Sequence, residues 1–167
     1  HEHADKLAAM NATPIPREIE TLHDLVARQH ALFVRLLPAS LQAASIDAYL
    51  LYRMLDTVED APLDRKEKEE LLDLVAQDFL PGLVTAAARL RDRESVRADY
   101  RLLLGQADQA LSFHTSLDGP MRELVERTGQ FMAREMLRFA RQFHAETNAH
   151  FLADLADLDA YCLAVAG

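Results

Sequence analysis

The sequence predicts an all-α fold, and three features of its 167 residues lead to that prediction. Apolar residues recur at helical spacing along most of the chain, and no segment alternates apolar and polar residues between hairpin turns. Glycine and proline are scarce, at 5 and 6, and they lie where they would separate helices. Half of the residues are hydrophobic and 27% are charged, as in one globular domain. We therefore expect a helical bundle.

Prolines and a capping pattern divide the first half of the chain. Residues 1–16 are predicted to form an N-terminal tail or a short helix. Pro38 ends one predicted helix or begins the next. Asp64 precedes Glu67 by three residues, an arrangement that is typical of a helix start. The helices predicted for this half cover about 17–37, about 39–60 and about 64–77.

Glycine and proline also mark the second half. Pro81-Gly82 predicts a turn or kink that a short helix follows, and Gly119-Pro120 opens a long helix. Further helices are predicted over about 95–114 and about 148–165. The long helix keeps one apolar face for about seven turns, and that face consists of Val125, Met132, Met136, Phe139 and Phe143.

Charge and cysteine content exclude several classes of function. With 18 basic and 27 acidic residues, the net charge is −9, which argues against non-specific binding to nucleic acid. The single Cys162 excludes an intrachain disulfide and indicates a reducing, cytoplasmic compartment. No apolar run reaches the roughly 18–20 residues of a membrane span, which leaves peripheral membrane association open.

The segment AYLLYRMLDTVED, residues 48–60, contains the most informative pattern. On a helix, Tyr49, Arg53, Asp56 and Asp60 lie on one face, and apolar residues cover most of the rest. A helix that is apolar nearly all round is expected to be buried. Its charged side chains must then face a polar cavity, a metal or a partner, because a buried unpaired charge is costly.

Two carboxylates one turn apart can hold Mg²⁺, which completes its octahedron with water and phosphate oxygens. Asp56 and Asp60 fit that requirement, and Arg53, one turn earlier, is placed to hold a phosphate bidentately. This combination suits the ionisation of a diphosphate ester, in which the metal neutralises the leaving group. The alternative is that both aspartates are solvent-facing charges near a helix end and that Arg53 pairs with them.

Two segments in the same order resemble the squalene and phytoene synthase family, the head-to-head prenyl synthases with the all-α isoprenoid-synthase fold. YLLYRMLDTVED resembles the first aspartate-rich motif, in a form closer to squalene synthases, and DLDAYCLAVAG, residues 157–167, resembles the YCxxVAG segment. RLLPASL, residues 35–41, and MAREMLRF, residues 132–139, fit more loosely. The resemblance implies that residues 17–167 are the N-terminal part of a single prenyl synthase domain.

The resemblance also implies roles for individual residues. Mg²⁺ held by Asp56 and Asp60, with help from Glu59, would bridge to a prenyl diphosphate. Arg28 and Arg53 would hold diphosphate oxygens. Tyr49 would line the same site, and Tyr161 would lie near the reacting carbons. The implied catalytic residues are Asp56, Asp60 and Tyr161, whose phenol would relay a proton or stabilise a carbocation near the reacting carbons.

The chain departs from the family pattern in two places. Where the family has Ser-Arg-Ser-Phe, this sequence reads Ala27, Arg28, Gln29 and His30, so both hydroxyls are replaced. Gln29 could still donate a hydrogen bond, and His30 could pair with phosphate or pack between helices. The second aspartate-rich motif of the family does not occur before Gly167. We therefore expect a fragment or a half-protein, with the apolar face of the long helix left open to self-association.

The sequence leaves three functions open, and each belongs to a different class of protein. The first is Mg²⁺-dependent head-to-head condensation of two prenyl diphosphates, from farnesyl diphosphate to presqualene diphosphate and squalene, with dehydrosqualene and phytoene as the alternative products. That reaction would need the remainder of the domain or a partner chain, and the intact enzyme could use NADPH. The second is a non-catalytic subunit or isoprenoid-binding relative that keeps one diphosphate wall. The third is a helical interaction module.

The segment 89–97 is rich in arginine. Its arginines could bind a phosphate or an anionic surface, or they could pair with acidic residues of the chain.

Overall fold

A computed structural model describes residues 13–142 and 155–166, and every regular element within these ranges is an α-helix. The predicted all-α class is confirmed. The predictions for residues 1–12, for Phe143 and for residues 143–154 lie outside the described residues. The helices are α1 (Arg17–Ala27), α2 (Gln29–Val34), α3 (Ala39–Asp60), α4 (Arg65–Gln77), α5 (Phe79–Leu90), α6 (Ala98–Gly105), α7 (Ala107–Ser116), α8 (Gly119–Gln142) and α9 (Leu155–Ala166).

Helix α3, which contains the aspartate-rich motif, lies at the centre of the bundle and packs against α1, α2 and α4 to α8. Its apolar residues Leu50, Leu51, Met54, Leu55 and Val58 are no more than 1% exposed. Burial of a leucine-sized side chain stabilises the fold by about 1.5–3 kcal/mol. The motif is therefore built on a helix whose apolar sides are held in the core.

The long helix α8 packs against α3, α4, α5 and α9. Its apolar side chains Met132, Met136 and Phe139 are at most 4% exposed. The expectation that this face lies open in the 167-residue chain is therefore wrong. The sequence pattern identified the apolar face correctly, but it gave no means of knowing that α4 and α9 cover it.

Three predicted boundaries need correction. The helix predicted over about 17–37 breaks at Arg28, where φ is 38°, and the one over about 95–114 breaks at Gln106. Pro81 lies in the first turn of α5, where its missing N–H has no helical partner to lose, so Pro81-Gly82 makes no turn. The predicted cap at Asp64 is confirmed, because its carboxylate accepts the Glu67 N–H at 3.0 Å.

Gly82 lets α5 approach α4 closely. A Cβ built on Gly82 would lie 2.4 Å from the Cα of Val75 and 2.6 Å from the carbonyl oxygen of Leu74. These are backbone atoms, which cannot rotate away. The glycine thus sets the distance between two helices of the bundle.

Gly82→Ala is expected to lower the free energy of unfolding by about 1–3 kcal/mol, because the two helices must separate to admit the methyl group. Gly105→Ala is the matched control, since nothing lies within 4 Å of a Cβ there. Urea unfolding of both variants followed by circular dichroism tests this. Equal stability of the two variants would contradict the close approach.

A buried polar cluster joins three helices. The His114 Nδ1 lies 2.7 Å from Asp47 Oδ2, and its Nε2 lies 3.0 Å from Glu126 Oε1. Asp47 and His114 are each 1% exposed. Burial alone would lower the pKa of His114, but the hydrogen bonds and charges of Asp47 and Glu126 outweigh it and raise that pKa. The sequence analysis did not find this cluster.

Within the described ranges, no helix combines the length and the apolar composition that crossing a bilayer requires.

Candidate functional site

The polar residues of the motif lie along one side of α3, as its helical spacing predicts. Tyr49, Arg53 and Asp56 are partly buried, and Asp60, at the end of the helix, is exposed. The opposite sides of α3 are held in the core, so this side of the helix lies beside two cavities. Most of the predicted site residues line one cavity or the other, and Asp56 lines neither.

The first cavity, here called the arginine cavity, has a volume of about 490 Å³. Three arginines line it, each from a different part of the chain: Arg28 from the break between α1 and α2, Arg53 from α3, and Arg97 from the residue before α6. One carboxylate, Asp99, lines the cavity too and pairs with Arg97 at 2.7 Å. The cavity therefore has an excess of positive charge, which suits an anionic ligand.

Tyr100 connects the arginine cavity to the acidic end of α3. Its hydroxyl accepts a hydrogen bond from Arg53 Nη2 at 2.9 Å and donates one to Asp60 Oδ2 at 3.2 Å. The guanidinium carbons of Arg53 and Arg97 lie 4.8 and 4.7 Å from the centre of its ring, within the range of cation–π attraction. Tyr100 thus holds two cationic groups and one carboxylate in a fixed arrangement.

Asp56 lies between Arg53 and the end of the helix. Its Oδ2 is 3.4 Å from Arg53 Nη1. Burial raises the pKa of Asp56, Arg53 opposes that shift, and the charge of Asp60 adds to it. The ionised form of Asp56 is therefore less favourable in the folded chain than in water.

The second cavity, here called the tyrosine cavity, has a volume of about 340 Å³ and includes Glu59, Asp60, Phe139 and Tyr161 among its lining residues. The Tyr161 hydroxyl donates to Glu59 Oε1 at 2.9 Å, and the ring meets Phe139 edge-on at 5.1 Å between centres. Burial, followed by the carboxylate of Glu59, raises the pKa of Tyr161 well above its usual range. The phenol is therefore kept protonated beside a carboxylate.

Arg28 occupies an unusual backbone conformation. Its φ of 38° and ψ of −97° separate α1 from α2, and such a conformation costs a residue other than glycine about 1–3 kcal/mol. The Tyr49 hydroxyl donates to the carbonyl of Val26 at 3.0 Å, just before the break. The break directs the chain so that Arg28 and Gln29 both line the arginine cavity.

All the predicted site residues except Asp56 thus fall into two groups. Arg28, Tyr49 and Arg53 line the arginine cavity, whereas Glu59, Asp60 and Tyr161 line the tyrosine cavity. Tyr100 joins the two groups through its hydrogen bond to Asp60. In the segment 89–97, most arginines form internal pairs, such as Arg93 with Glu67, and Arg97 reaches the cavity.

Sequence reasoning missed Tyr100 and gave Arg97 no individual role. No sequence signal could have found Tyr100, because its partners Arg53 and Asp60 lie 47 and 40 residues away along the chain. Arg97 was part of an arginine-rich segment, which is a weak indication of anion binding. Only the packing of α6 against α3 identifies both residues.

The donor set fits a divalent cation in part. Asp56 and Asp60 offer carboxylate oxygens one helical turn apart, and hard cations such as Mg²⁺ prefer oxygen ligands. Glu59 points instead to Tyr161, and within residues 13–142 and 155–163 no three acidic, histidine or cysteine side chains are grouped to hold a metal. The predicted three-carboxylate set is therefore not brought together, and a metal here would need ligand oxygens from elsewhere.

Comparison with known proteins finds a matching family and distant relatives. The model of the squalene/phytoene synthase family matches residues 24–167. A protein of Botryococcus braunii named squalene synthase BSS is 28% identical over 144 residues, which are 86% of this chain and 29% of that protein. A squalene synthase of Schizosaccharomyces pombe is 27% identical over 155 residues, 90% of this chain and 32% of that protein. The chain spans less than a third of the length of either relative. No solved structure matches it.

Proposed function

This chain belongs to the squalene/phytoene synthase family, and from that premise we propose that it forms the diphosphate-binding wall of an enzyme that condenses two prenyl diphosphates head to head. Family membership indicates a prenyltransferase. The substrate, in our proposal, is farnesyl diphosphate, which is converted to presqualene diphosphate and then squalene. The second wall of the site would come from the remainder of the same domain or from a partner chain.

The observation that carries the proposal is the convergence of Arg28, Arg53 and Arg97 on one cavity beside the aspartate-rich helix. Three guanidinium groups with a single opposing carboxylate, Asp99, can hold the several negative oxygens of a diphosphate through paired hydrogen bonds. A cavity of about 490 Å³ is large enough for a diphosphate group. A plain helical interaction module would have no need for such an arrangement.

Different residues of the chain would have different roles in the proposed reaction. Arg28 and Arg53 would bind and orient the diphosphate, so that its negative charge is stabilised as the bond to the prenyl carbon weakens. Tyr100 would keep Arg53 aimed at the cavity. Tyr161, at the tyrosine cavity, would hold or transfer a proton through its hydroxyl, with Glu59 as the hydrogen-bonded acceptor.

Asp56 and Asp60 would hold Mg²⁺ together with oxygens of the diphosphate. The metal, when bound, would neutralise the charge of the leaving diphosphate. NADPH, which the reduction to squalene would use, would be bound by parts of the enzyme beyond this chain. We propose a cytoplasmic location, with peripheral contact to a membrane where the apolar product is released.

Arg53→Ala is expected to weaken binding of inorganic pyrophosphate to the 167-residue chain by about ten- to hundredfold, because a charge-assisted hydrogen bond contributes about 1.5–3 kcal/mol. Isothermal titration calorimetry measures this directly. Arg89→Ala is the control, since Arg89 pairs with Glu70 at 2.7 Å on the surface and should leave affinity unchanged. A chain without affinity for pyrophosphate, or an equal effect of both substitutions, would refute the anion site.

The non-catalytic alternative makes a different prediction. An isoprenoid-binding relative would bind farnesyl diphosphate through the same arginines, but the complete protein would form no presqualene diphosphate with Mg²⁺ present. Chromatography of the extracted products separates the two outcomes.

A further inference from the structure

The break between α1 and α2 is held by three aromatic rings, here called the histidine clamp and formed by His23, His30 and Tyr49. The His23 Nε2 lies 2.8 Å from the His30 Nδ1, so a hydrogen bond joins the two helices across Arg28. The His30 ring stacks on Tyr49 at 4.4 Å between centres, and His23 meets Tyr49 edge-on at 5.4 Å. Each side of the break is therefore tied to the other and to α3.

A strained conformation persists only where its surroundings impose it. Arg28 has the one positive φ value among non-glycine residues in the described ranges. The clamp supplies the contacts that impose it, because Tyr49 also donates to the carbonyl of Val26 immediately before the break. If the bond between His23 and His30 is lost, α1 and α2 are no longer held at the angle that turns Arg28 into the arginine cavity.

We propose that His23 and His30 are positioning residues for Arg28, and that the clamp opens when both imidazoles are protonated, which makes anion binding in the arginine cavity sensitive to acid. The inference rests on the anion site proposed above. A hydrogen bond between two imidazoles needs one nitrogen that donates and one that accepts. Protonation of one ring keeps the bond, because the imidazolium N–H donates to the neutral ring, whereas protonation of both rings leaves two donors facing each other and breaks it.

The surroundings of the two rings oppose their protonation and so favour the closed clamp. Burial, and then the neighbouring His30, lower the pKa of His23 to about 4, and burial lowers the pKa of His30. Asp24 opposes the shift of His23, but it is paired with Arg35 at 2.9 Å. The other polar and charged groups that face the two imidazoles are Glu20 from α1, Arg35 after α2, and Gln42 and Ser45 from α3.

The clamp also accounts for a departure noted in the sequence. The family pattern has phenylalanine where this chain has His30, and both serines beside the arginine are replaced. A phenylalanine would keep the stacking on Tyr49 but could not bond to His23. His30→Phe is therefore the substitution that removes the hydrogen bond and retains the ring.

The first test measures binding of inorganic pyrophosphate to the 167-residue chain by calorimetry, without metal, at pH 8 and pH 4. His30→Phe is expected to weaken binding at pH 8 by about five- to tenfold. At pH 4 the difference between the two proteins should shrink, because protonation of His23, whose pKa is lowered to about 4, begins to open the wild-type clamp. Comparison at the same pH cancels the titration of pyrophosphate itself.

A double-mutant cycle separates positioning from a general effect on the fold. If the clamp acts through Arg28, His30→Phe should cost nothing further in an Arg28→Ala background, whereas it should keep its full effect in an Arg97→Ala background. The proposal would be overturned if His30→Phe lowered the affinity for pyrophosphate by the same factor in both backgrounds. It would also be overturned if the His30→Phe variant bound pyrophosphate like the wild type.

A second test needs no substitution. Nuclear magnetic resonance of ¹⁵N-labelled imidazoles follows the titration of His23 and His30 with and without pyrophosphate. A nearby anion raises a histidine pKa by direct attraction, but an anion that binds only the closed clamp must lower the midpoint at which the second imidazole is protonated, since linkage is reciprocal. A lowered second midpoint supports the clamp, and an unchanged or raised second midpoint overturns it.

The two proposals fail in distinguishable ways. A wild-type chain that does not bind pyrophosphate removes the anion site and the purpose of the clamp together. A wild-type chain whose binding depends on Arg53 but not on His30 leaves the anion site in place and rejects the clamp alone.

Discussion

Replacing His114 by leucine is expected to lower the free energy of unfolding by about 3–5 kcal/mol, the usual cost of leaving one member of a buried ion pair without its partner. Asp47 is 1% exposed and relies on His114 for a hydrogen bond at 2.7 Å. Its other oxygen, Oδ1, already has no hydrogen-bond partner. The substitution therefore leaves a buried carboxylate unsatisfied.

Two controls make this prediction specific. The double variant Asp47→Leu, His114→Leu should regain much of the loss, because a buried pair exchanged for apolar residues is often close to neutral in stability. Glu126→Gln should cost about 0–1 kcal/mol, since the Glu126 side chain is 44% exposed. Urea unfolding measures all three. A double variant that is less stable than His114→Leu would contradict the explanation.

The same cluster predicts how stability depends on pH. The pKa of His114 is raised in the folded chain, where burial would lower it but Asp47 and Glu126 outweigh burial, and burial raises the pKa of Asp47. A raised folded pKa gives stability that is fully present below the unfolded value, 6.5 for histidine, and is lost as pH rises through the folded value. Wild-type stability should therefore fall as the pH rises above 6.5, and it should fall less in His114→Leu.

Under the proposed function, Asp56→Asn or Asp60→Asn is expected to reduce Mg²⁺-dependent turnover of farnesyl diphosphate by more than about a hundredfold, because the metal would supply several kcal/mol of charge stabilisation. The melting temperature of the chain should stay the same or rise for Asp56→Asn. Burial and the charge of Asp60 raise the pKa of Asp56. Removing the charge of Asp56 therefore takes an unfavourable interaction out of the folded state at neutral pH.

Product assays and differential scanning calorimetry test the two halves of this prediction separately. Asp108→Asn, at an exposed position of α7, is the control for the loss of one carboxylate and should leave turnover unchanged. Full turnover in either motif variant would refute the metal assignment. A large drop in melting temperature would instead show that the aspartate supports the fold.

Much of this molecule was predictable from local sequence patterns. Helical periodicity and the positions of proline and glycine predicted the all-α class, the bounds of α3 and the cap at Asp64, because each depends on residues within one or two turns of each other. The one-sided placement of Tyr49, Arg53, Asp56 and Asp60 followed from helical spacing alone. The motif resemblance pointed to the family that the comparisons show.

Tertiary structure decided what spacing along the chain cannot express. The bonds of Tyr100 to Arg53 and Asp60, the burial of His114 against Asp47, and the division of Tyr161 and Arg28 between two cavities all join residues far apart in sequence. The break at Arg28 also escaped prediction, since nothing in its local sequence requires a positive φ. Such contacts depend on which helix faces which, and that is set by the packing of the whole core.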